Sequence, residues 1–253
     1  QVCQKLSSKD VFYLDKDEIA QGIVPNPDVV NSRNILNLSK NKIESKNVKT
    51  GDGVFIVDKN HFQNKNLNDN ERQYLKPLYE ANLIDKYNIS DNEKEIIYIT
   101  KKNYRNDAPE LEKHLNTYKP IMEQRRENKK GSLKYYHLHW PRSQEFFDEG
   151  NKIISVRKCS RPIFHYLENE AYFMMSVNVI KTSKANNKFL TGLFNSKLIE
   201  FWLRYKGKMQ GNNFQIDKEP LMNIPVIRTN QDKENQITQL VDQILSAKAE
   251  DPA

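Results

Sequence analysis

Cysteine is nearly missing from this chain, with Cys3 and Cys159 the two in 253 residues. Two are too few for a disulfide scaffold, and with a Lys- and Asn-rich composition they suit a reducing cytosol. Long apolar runs are missing as well. No stretch approaches the ~20 residues that a membrane-spanning helix needs, and no signal-peptide pattern is visible. Glycine is sparse at 8 residues, and no glycine-rich loop follows a strand and opens a helix. Thr50-Gly51-Asp52-Gly53 reads as a hairpin turn instead. Internal repeats and low-complexity linkers are missing too. The chain opens on Gln1 rather than Met, and the acid-rich end AKAEDPA follows an amphipathic run. The opening leads to the expectation of a fragment cut from something larger, the end to that of a domain boundary, and the composition to a cytoplasmic location.

What the chain has is charge. Lys and Arg number 40 against 33 Asp and Glu, a net +7, which points to a polyanionic partner met by one basic face. Apolar residues make up 37%, low for a globular protein but gathered into periodic runs that can close a core. The most informative stretch is GNKIISVRKCSRPIFHYLENEAYFMMSVNVIK, residues 150–181. An apolar run breaks into Arg157, Lys158, Cys159, Ser160 and Arg161, then returns through two aromatic, β-prone runs. Cationic and hydroxyl side chains framed by strands can grip phosphates and base edges.

Elsewhere Glu18–Val24, Val54–Val57, Ile96–Thr100 and Tyr135–Trp140 read as strands. Glu71–Tyr87 reads as a helix shortened or kinked at Pro77. A helix start is written at Asp107 and Pro109, with Glu110 and Glu112 facing the dipole and a bend expected at Pro120. Its charged end, residues 123–130, carries Arg125, Arg126, Lys129 and Lys130 and reads as a solvated helix terminus closed by Gly131. Asn187–Lys206 reads as one helix whose stripe, including Phe194, Phe201 and Trp202, belongs in the core. Ile237, Leu240, Val241, Ile244 and Leu245 predict a C-terminal amphipathic helix that packs on its own domain or docks onto another, with docking onto a parent or partner chain favoured over a standalone coiled coil. Strands and helices mix without regular alternation, which predicts a mixed α+β fold with mainly antiparallel strands. The expected division is 1–230 as the recognition domain and 231–253 as the C-terminal helix.

Several phrases occur in one order: GIVPNPD, KTGDGVFIV, YLKPLYEANLIDKY, LEKHLNTYKPIMEQRRENKKG, YYHLHWPR, KIISVRKCSRPIFHY, FLTGLFNSKLIEFW and LMNIPVI. Over roughly Gln21 to Ile227 the chain resembles the TaqI-like C-terminal specificity domain of adenine-specific DNA methyltransferases and type IIG restriction-modification enzymes. The resemblance implies a target recognition domain for double-stranded DNA. A methyltransferase domain of the parent chain, or a partner subunit, would carry the catalysis with S-adenosylmethionine, with Mg²⁺ added if the parent also cuts. The methyltransferase signature itself, Asn/Asp-Pro-Pro followed by an aromatic, which holds a flipped adenine, is represented here only by Asn26-Pro27-Asp28. The fragment is therefore expected to bind DNA without a catalytic residue of its own.

The resemblance places base-reading positions in the 157–161 segment, with Lys158, Ser160 and Arg161 as leading candidates and Arg157 beside them. The loop Lys206-Gly207-Lys208-Met209-Gln210-Gly211-Asn212-Asn213 is a second candidate. Its amides Gln210, Asn212 and Asn213 have the forks that recognise adenine, and Lys206 and Lys208 add charge; a plain helix-to-strand connection is its bland alternative. Lys101, Lys102, Asn103, Tyr104 and Arg105 at a strand end form either a groove-entering loop or edge protection. Arg142 is ambiguous in the same way. His137 and His139, alternating on the expected strand, would share one face turned toward DNA; with Cys159 or His165 they make only a poor zinc set. A different class of function, a Mg²⁺-dependent nuclease, would use Asp28, Glu44 and Lys46, a pattern that charge-rich composition produces cheaply. A third reading is a protein-interaction module whose charge serves solubility.

Overall fold

The computed structural model describes residues 10–43 and 47–251. They divide into two compact units, one of residues 10–22, 79–91 and 142–251, the other of residues 23–43, 47–78 and 92–141. The architecture is α+β with antiparallel ladders, as the mixed pattern predicted.

In the first unit a four-stranded sheet runs in the order Phe164–Leu167, Lys152–Val156, Val177–Ile180, Ile19–Gln21, every pair antiparallel. Lys152–Val156 is buried at every position, which is why it reads as a continuous apolar run rather than an alternating one. Lys152 itself is fully buried. Its ammonium donates to the carbonyls of Asp148 at 2.8 Å, Gly150 at 3.1 Å and Glu168 at 3.4 Å, and burial lowers its pKa to about 8. The expected single helix over 187–206 is two, Asn187–Phe194 and Lys197–Lys206. The break has a local cause. The Asn195 side chain accepts from Phe164 N at 3.1 Å and donates to Phe164 O at 2.7 Å, extending the ladder beside it. Ser196 then caps the second helix through a bond from Ile199 N. The break re-phases the stripe, so that Ile199, Trp202 and Leu203 are buried while Phe201 and Tyr205 stand 41% and 65% exposed. Phe201 is thus not the core residue expected of it.

The C-terminal helix Gln231–Glu250 packs on Asn187–Phe194 of its own unit. Gly192 permits the approach, since a Cβ there would lie 2.9 Å from Val241 Cγ2 and 3.0 Å from Ile237 Cγ2. The expected docking onto another chain therefore has a competitor already in place, although Leu240 and Ile244 of the same helix remain exposed.

In the second unit Lys94–Ile97 pairs antiparallel with Ile56–Asp58 on one side and with the strand Leu75–Tyr79 on the other. Here the expected helix Glu71–Tyr87 fails. Only Asp69–Arg72 is helical before the strand begins, because Pro77 cannot donate within a helix whereas a β ladder can accommodate it at a position with no required N–H. Glu71, 1% exposed, has a different task. Its carboxylate accepts from Glu110 N at 2.7 Å and Leu111 N at 3.3 Å, supplying the open N-terminus of the helix Pro109–Thr117 with a negative charge. Asp107, expected as the cap, instead accepts from Tyr74 Oη at 2.8 Å. The chain bends at Pro120 as predicted, into Lys119–Met122 and then Arg126–Lys129.

Tyr135–Trp140 is not a strand; its one ladder contact is the bridge from Trp140 to Val24. Arg125 explains the difference. It is 7% exposed rather than solvated, and its guanidinium donates to the carbonyls of Lys134, Tyr135 and His137 at 3.0 to 3.3 Å. Further bonds run to Met122 O and Asn128 Oδ1. The segment wraps this cation and so cannot ladder.

Candidate nucleic-acid interface

Two segments separated by about fifty residues in the sequence meet in the first unit. Met209–Gln210 and Asn213–Gln215 form a hairpin, and its inner strand pairs antiparallel with Lys158–Cys159, so that Phe214 faces Cys159 and Gln215 faces Lys158. The hairpin turns on Gly211 and Asn212. Gly211 has φ +59°, the left-handed region that a tight turn demands at this position. Phe214 is fully buried and anchors the small sheet, with the Arg204 guanidinium 4.8 Å above its ring. Lys158, Ser160, Arg161, Lys206, Lys208, Gln210 and Asn212 are exposed here, and Asn213 is half-buried. A shallow cavity of about 280 Å³ is lined by Arg157, Lys158, Met175, Gln210, Gln215 and Asp217. The basic knot and the amide-bearing turn are thus one surface.

Carboxylates organise part of it. Arg157 donates to Asp217 Oδ1 through Nε at 3.1 Å and Nη2 at 2.5 Å, and to Met175 O through Nη1 at 2.6 Å. Asp217 also accepts from Gln215 and lies 3.5 Å from Lys208 Nζ. Burial alone would raise the Asp217 pKa, but the Arg157 bonds and charge, aided by Gln215 and Lys208, hold it below the usual carboxylate range. Arg157 is therefore largely spent inside the fold. Arg161 is more exposed and paired with Asp85. Arg142, at φ +64°, donates through Nε to Gly22 O at 3.1 Å; burial, followed by the nearby Arg157 charge, lowers its pKa.

The candidates in the second unit are differently placed. Lys101, Lys102 and Arg105 are exposed. Asn103, however, is committed to a turn: its Oδ1 accepts from Thr100 N and Oγ1, and its Nδ2 donates to Tyr98 O at 2.9 Å. Tyr104 is buried, donates to Glu112 and packs edge-on against Tyr74 and Tyr136. His137 is 8% exposed, its Nδ1 accepts from Lys134 N at 3.2 Å, and burial lowers its pKa to about 4. His139 stacks on Trp140 with centroids 4.6 Å apart, and its Nε2 lies 3.0 Å from Glu127 Oε2. The two histidines are thus not side by side on a strand face. Asp28 is also used locally: its carboxylate accepts from Val29 N at 2.8 Å, and its carbonyl from Val54 N at 3.0 Å. Glu44 and Lys46 of the nuclease pattern, and Cys3, lie outside the described residues.

Sequence reasoning missed Asp217, Asp85, Arg204 and the exposed Tyr205. Only Asp85 left a readable signal, a polar Asp-Lys-Tyr-Asn run between Ile84 and Ile89, which form a small antiparallel pair.

The sequence matches the TaqI-like C-terminal specificity domain over residues 76–226, more than half of the chain. This chain belongs to that family. The specificity-domain sequence is 26% identical over 148 residues to the type II methyltransferase M.HincII of Haemophilus influenzae, covering 53% of this chain and 29% of that protein. It is likewise 26% identical over 148 residues to M.HindII of Haemophilus influenzae strain Rd, covering 28% of it. The specificity domain thus spans under a third of the curated relatives it matches. Its fold is similar to part of the type IIL restriction-modification enzyme MmeI, solved in complex with DNA, with a TM-score of 0.63 and 12% identity over 96% of this chain and 30% of that one. No helix among the described residues is long and apolar enough to cross a membrane.

Proposed function

We propose that this specificity domain recognises a short sequence in double-stranded DNA and directs an adenine-specific methyltransferase of the type II restriction-modification kind to it. The observation that carries the reading is that the strand Lys158–Cys159, with the exposed Ser160 and Arg161 directly after it, pairs with the hairpin that carries the Gln210–Asn213 turn. Lysines there supply the salt-dependent grip, while Arg161 and the amides supply donors and acceptors to base edges. Arg142 and the exposed Lys101, Lys102 and Arg105 add phosphate contacts. Asn103, Tyr104, His137 and His139 shape the loops that carry such contacts, and Arg157 braces the sheet through Asp217. In this reading residues 1–230 are the recognition domain and 231–253 the C-terminal segment that carries the helix Gln231–Glu250. Adenine methylation, and the S-adenosylmethionine it consumes, belong to a methyltransferase domain of the same parent chain or to a partner subunit in the cytoplasm.

The test is fluorescence anisotropy of this chain with a random-duplex pool across a NaCl series, followed by sequencing of the bound fraction. Binding that weakens steeply with salt and enriches one motif is the expected result. Absence of binding at low salt, or binding without enrichment, would overturn the recognition role.

A further inference from the structure

Arg161 Nη2 donates to both oxygens of Asp85, at 2.8 Å to Oδ1 and 2.9 Å to Oδ2. The two side chains remain 57% and 55% exposed, and they come from segments 76 residues apart. An ion pair this open contributes little to folding, about 0–1 kcal/mol, so stability gives it no clear purpose. What it does is orient the guanidinium, leaving the Nε and Nη1 hydrogens without a partner among the described residues. Arg157, a few residues earlier, shows the contrast. All three of its nitrogens are engaged, and its side chain is 22% exposed.

Net charge decides what such a pair can bind. A phosphate contact gains its free energy from a cation that displaces condensed counterions. The Arg161–Asp85 pair has no net charge, and the Asp85 carboxylate repels a phosphate brought beside it. The major-groove edge of a G·C pair has the opposite character. Guanine offers acceptors at N7 and O6, and cytosine offers a donor at N4. A guanidinium with free donors next to a carboxylate presents the complement of that edge. We propose that Arg161 and Asp85 together read one G·C base pair, with Asp85 positioning the guanidinium toward guanine and accepting from cytosine N4. The exposed Lys158 and Lys206, which meet no carboxylate among the described residues, take the phosphates. This inference rests on the DNA-reading role above.

The experiment starts from the motif that the unaltered chain selects. Anisotropy then compares the unaltered chain, Asp85→Ala, Asp85→Glu and Arg161→Ala on the selected duplex and on duplexes with each G·C pair changed to A·T. Thermal melting checks that each variant is folded. Asp85→Ala is expected to lose about tenfold or more in discrimination at one G·C position, the position at which Arg161→Ala also loses it, with Asp85→Glu recovering part. Binding to unrelated duplexes should hold or strengthen, because a negative charge has gone. If Asp85→Ala instead tightens binding to every duplex with discrimination intact, Asp85 is a cover over Arg161 and the inference falls. If discrimination is unchanged at every position, the pair is an ordinary surface contact and the inference falls. Failure of the unaltered chain to select any motif would overturn the DNA-reading role itself, and this inference with it.

Discussion

Two cation-rich regions of this chain, the 157–161 segment with its hairpin and the 101–140 stretch, look alike in composition and end in different situations. In the first, Lys158 and Gln210 project from a small sheet anchored by the buried Phe214, with Asn212 exposed in its turn and Lys206 exposed at the end of the preceding helix. In the second, Arg125, Asn103, Tyr104 and His137 turn inward and hold loops together. The difference comes from what surrounds each charge. A short ladder leaves alternate side chains outside, whereas the 134–139 segment has no ladder and satisfies its carbonyls with a buried guanidinium. Cationic composition alone therefore does not leave cations available; an anchored backbone with outward side chains does, which is why the proposed interface is placed there.

The largest expected effect would break the second region. Arg125→Met removes the guanidinium and strands several carbonyls, and should cost about 3 kcal/mol or more. Urea unfolding measures it, and a loss below about 1 kcal/mol would mean the loop does not depend on Arg125. Acid sharpens the same contrast. Burial, with the Lys134, Arg125 and Lys101 charges, holds His137 near pKa 4, below the usual 6.5. Between those values the unfolded chain binds a proton that the folded chain refuses. Stability from this group is therefore complete above pH 6.5 and lost as pH falls toward 4. His137→Asn should flatten the pH dependence of the unfolding free energy, read from urea titrations, by about 1.4 kcal/mol per pH unit in that window. An unchanged slope would place the acid sensitivity elsewhere, His114 and His165 being the other histidines held near pKa 4 by burial.

The smallest effect compares the regions directly. Lys158→Ala with Lys206→Ala should reduce the slope of log affinity against log salt by about 2. Lys101→Ala with Lys102→Ala should reduce it by less, since the loop they occupy is built around Asn103 and Tyr104. Equal reductions would mean that the two regions do not differ in their hold on DNA.

Much of this was readable in advance. The apolar runs at 152–156, 164–167 and 177–180 are strands because β-prone residues and turn formers alternate there. The start of the helix at Pro109 and the bend at Pro120 follow from proline chemistry alone. Glu71–Tyr87 misled because Leu75, Leu78 and Tyr79 satisfy a helical stripe, and only the ladder offered by Lys94–Ile97 makes them a strand. The Asn187–Lys206 stripe hid its break because Asn195 leaves the helix for a partner, Phe164, 31 residues away. The proposed interface was legible as two separate segments, and their joining was not.

The sequence by itself determined the basic balance, the α+β class, the family and both segments of the proposed interface, because composition, periodicity and ordered motifs are local properties. Only the tertiary structure decided which cations stay free. Whether Arg157 meets Asp217, Arg161 meets Asp85 or Arg125 meets the carbonyls of 134–137 depends on groups brought together from distant parts of the chain. The chemistry of a charge is set by the partner it finds within a few ångströms, and no spacing in the sequence records that distance.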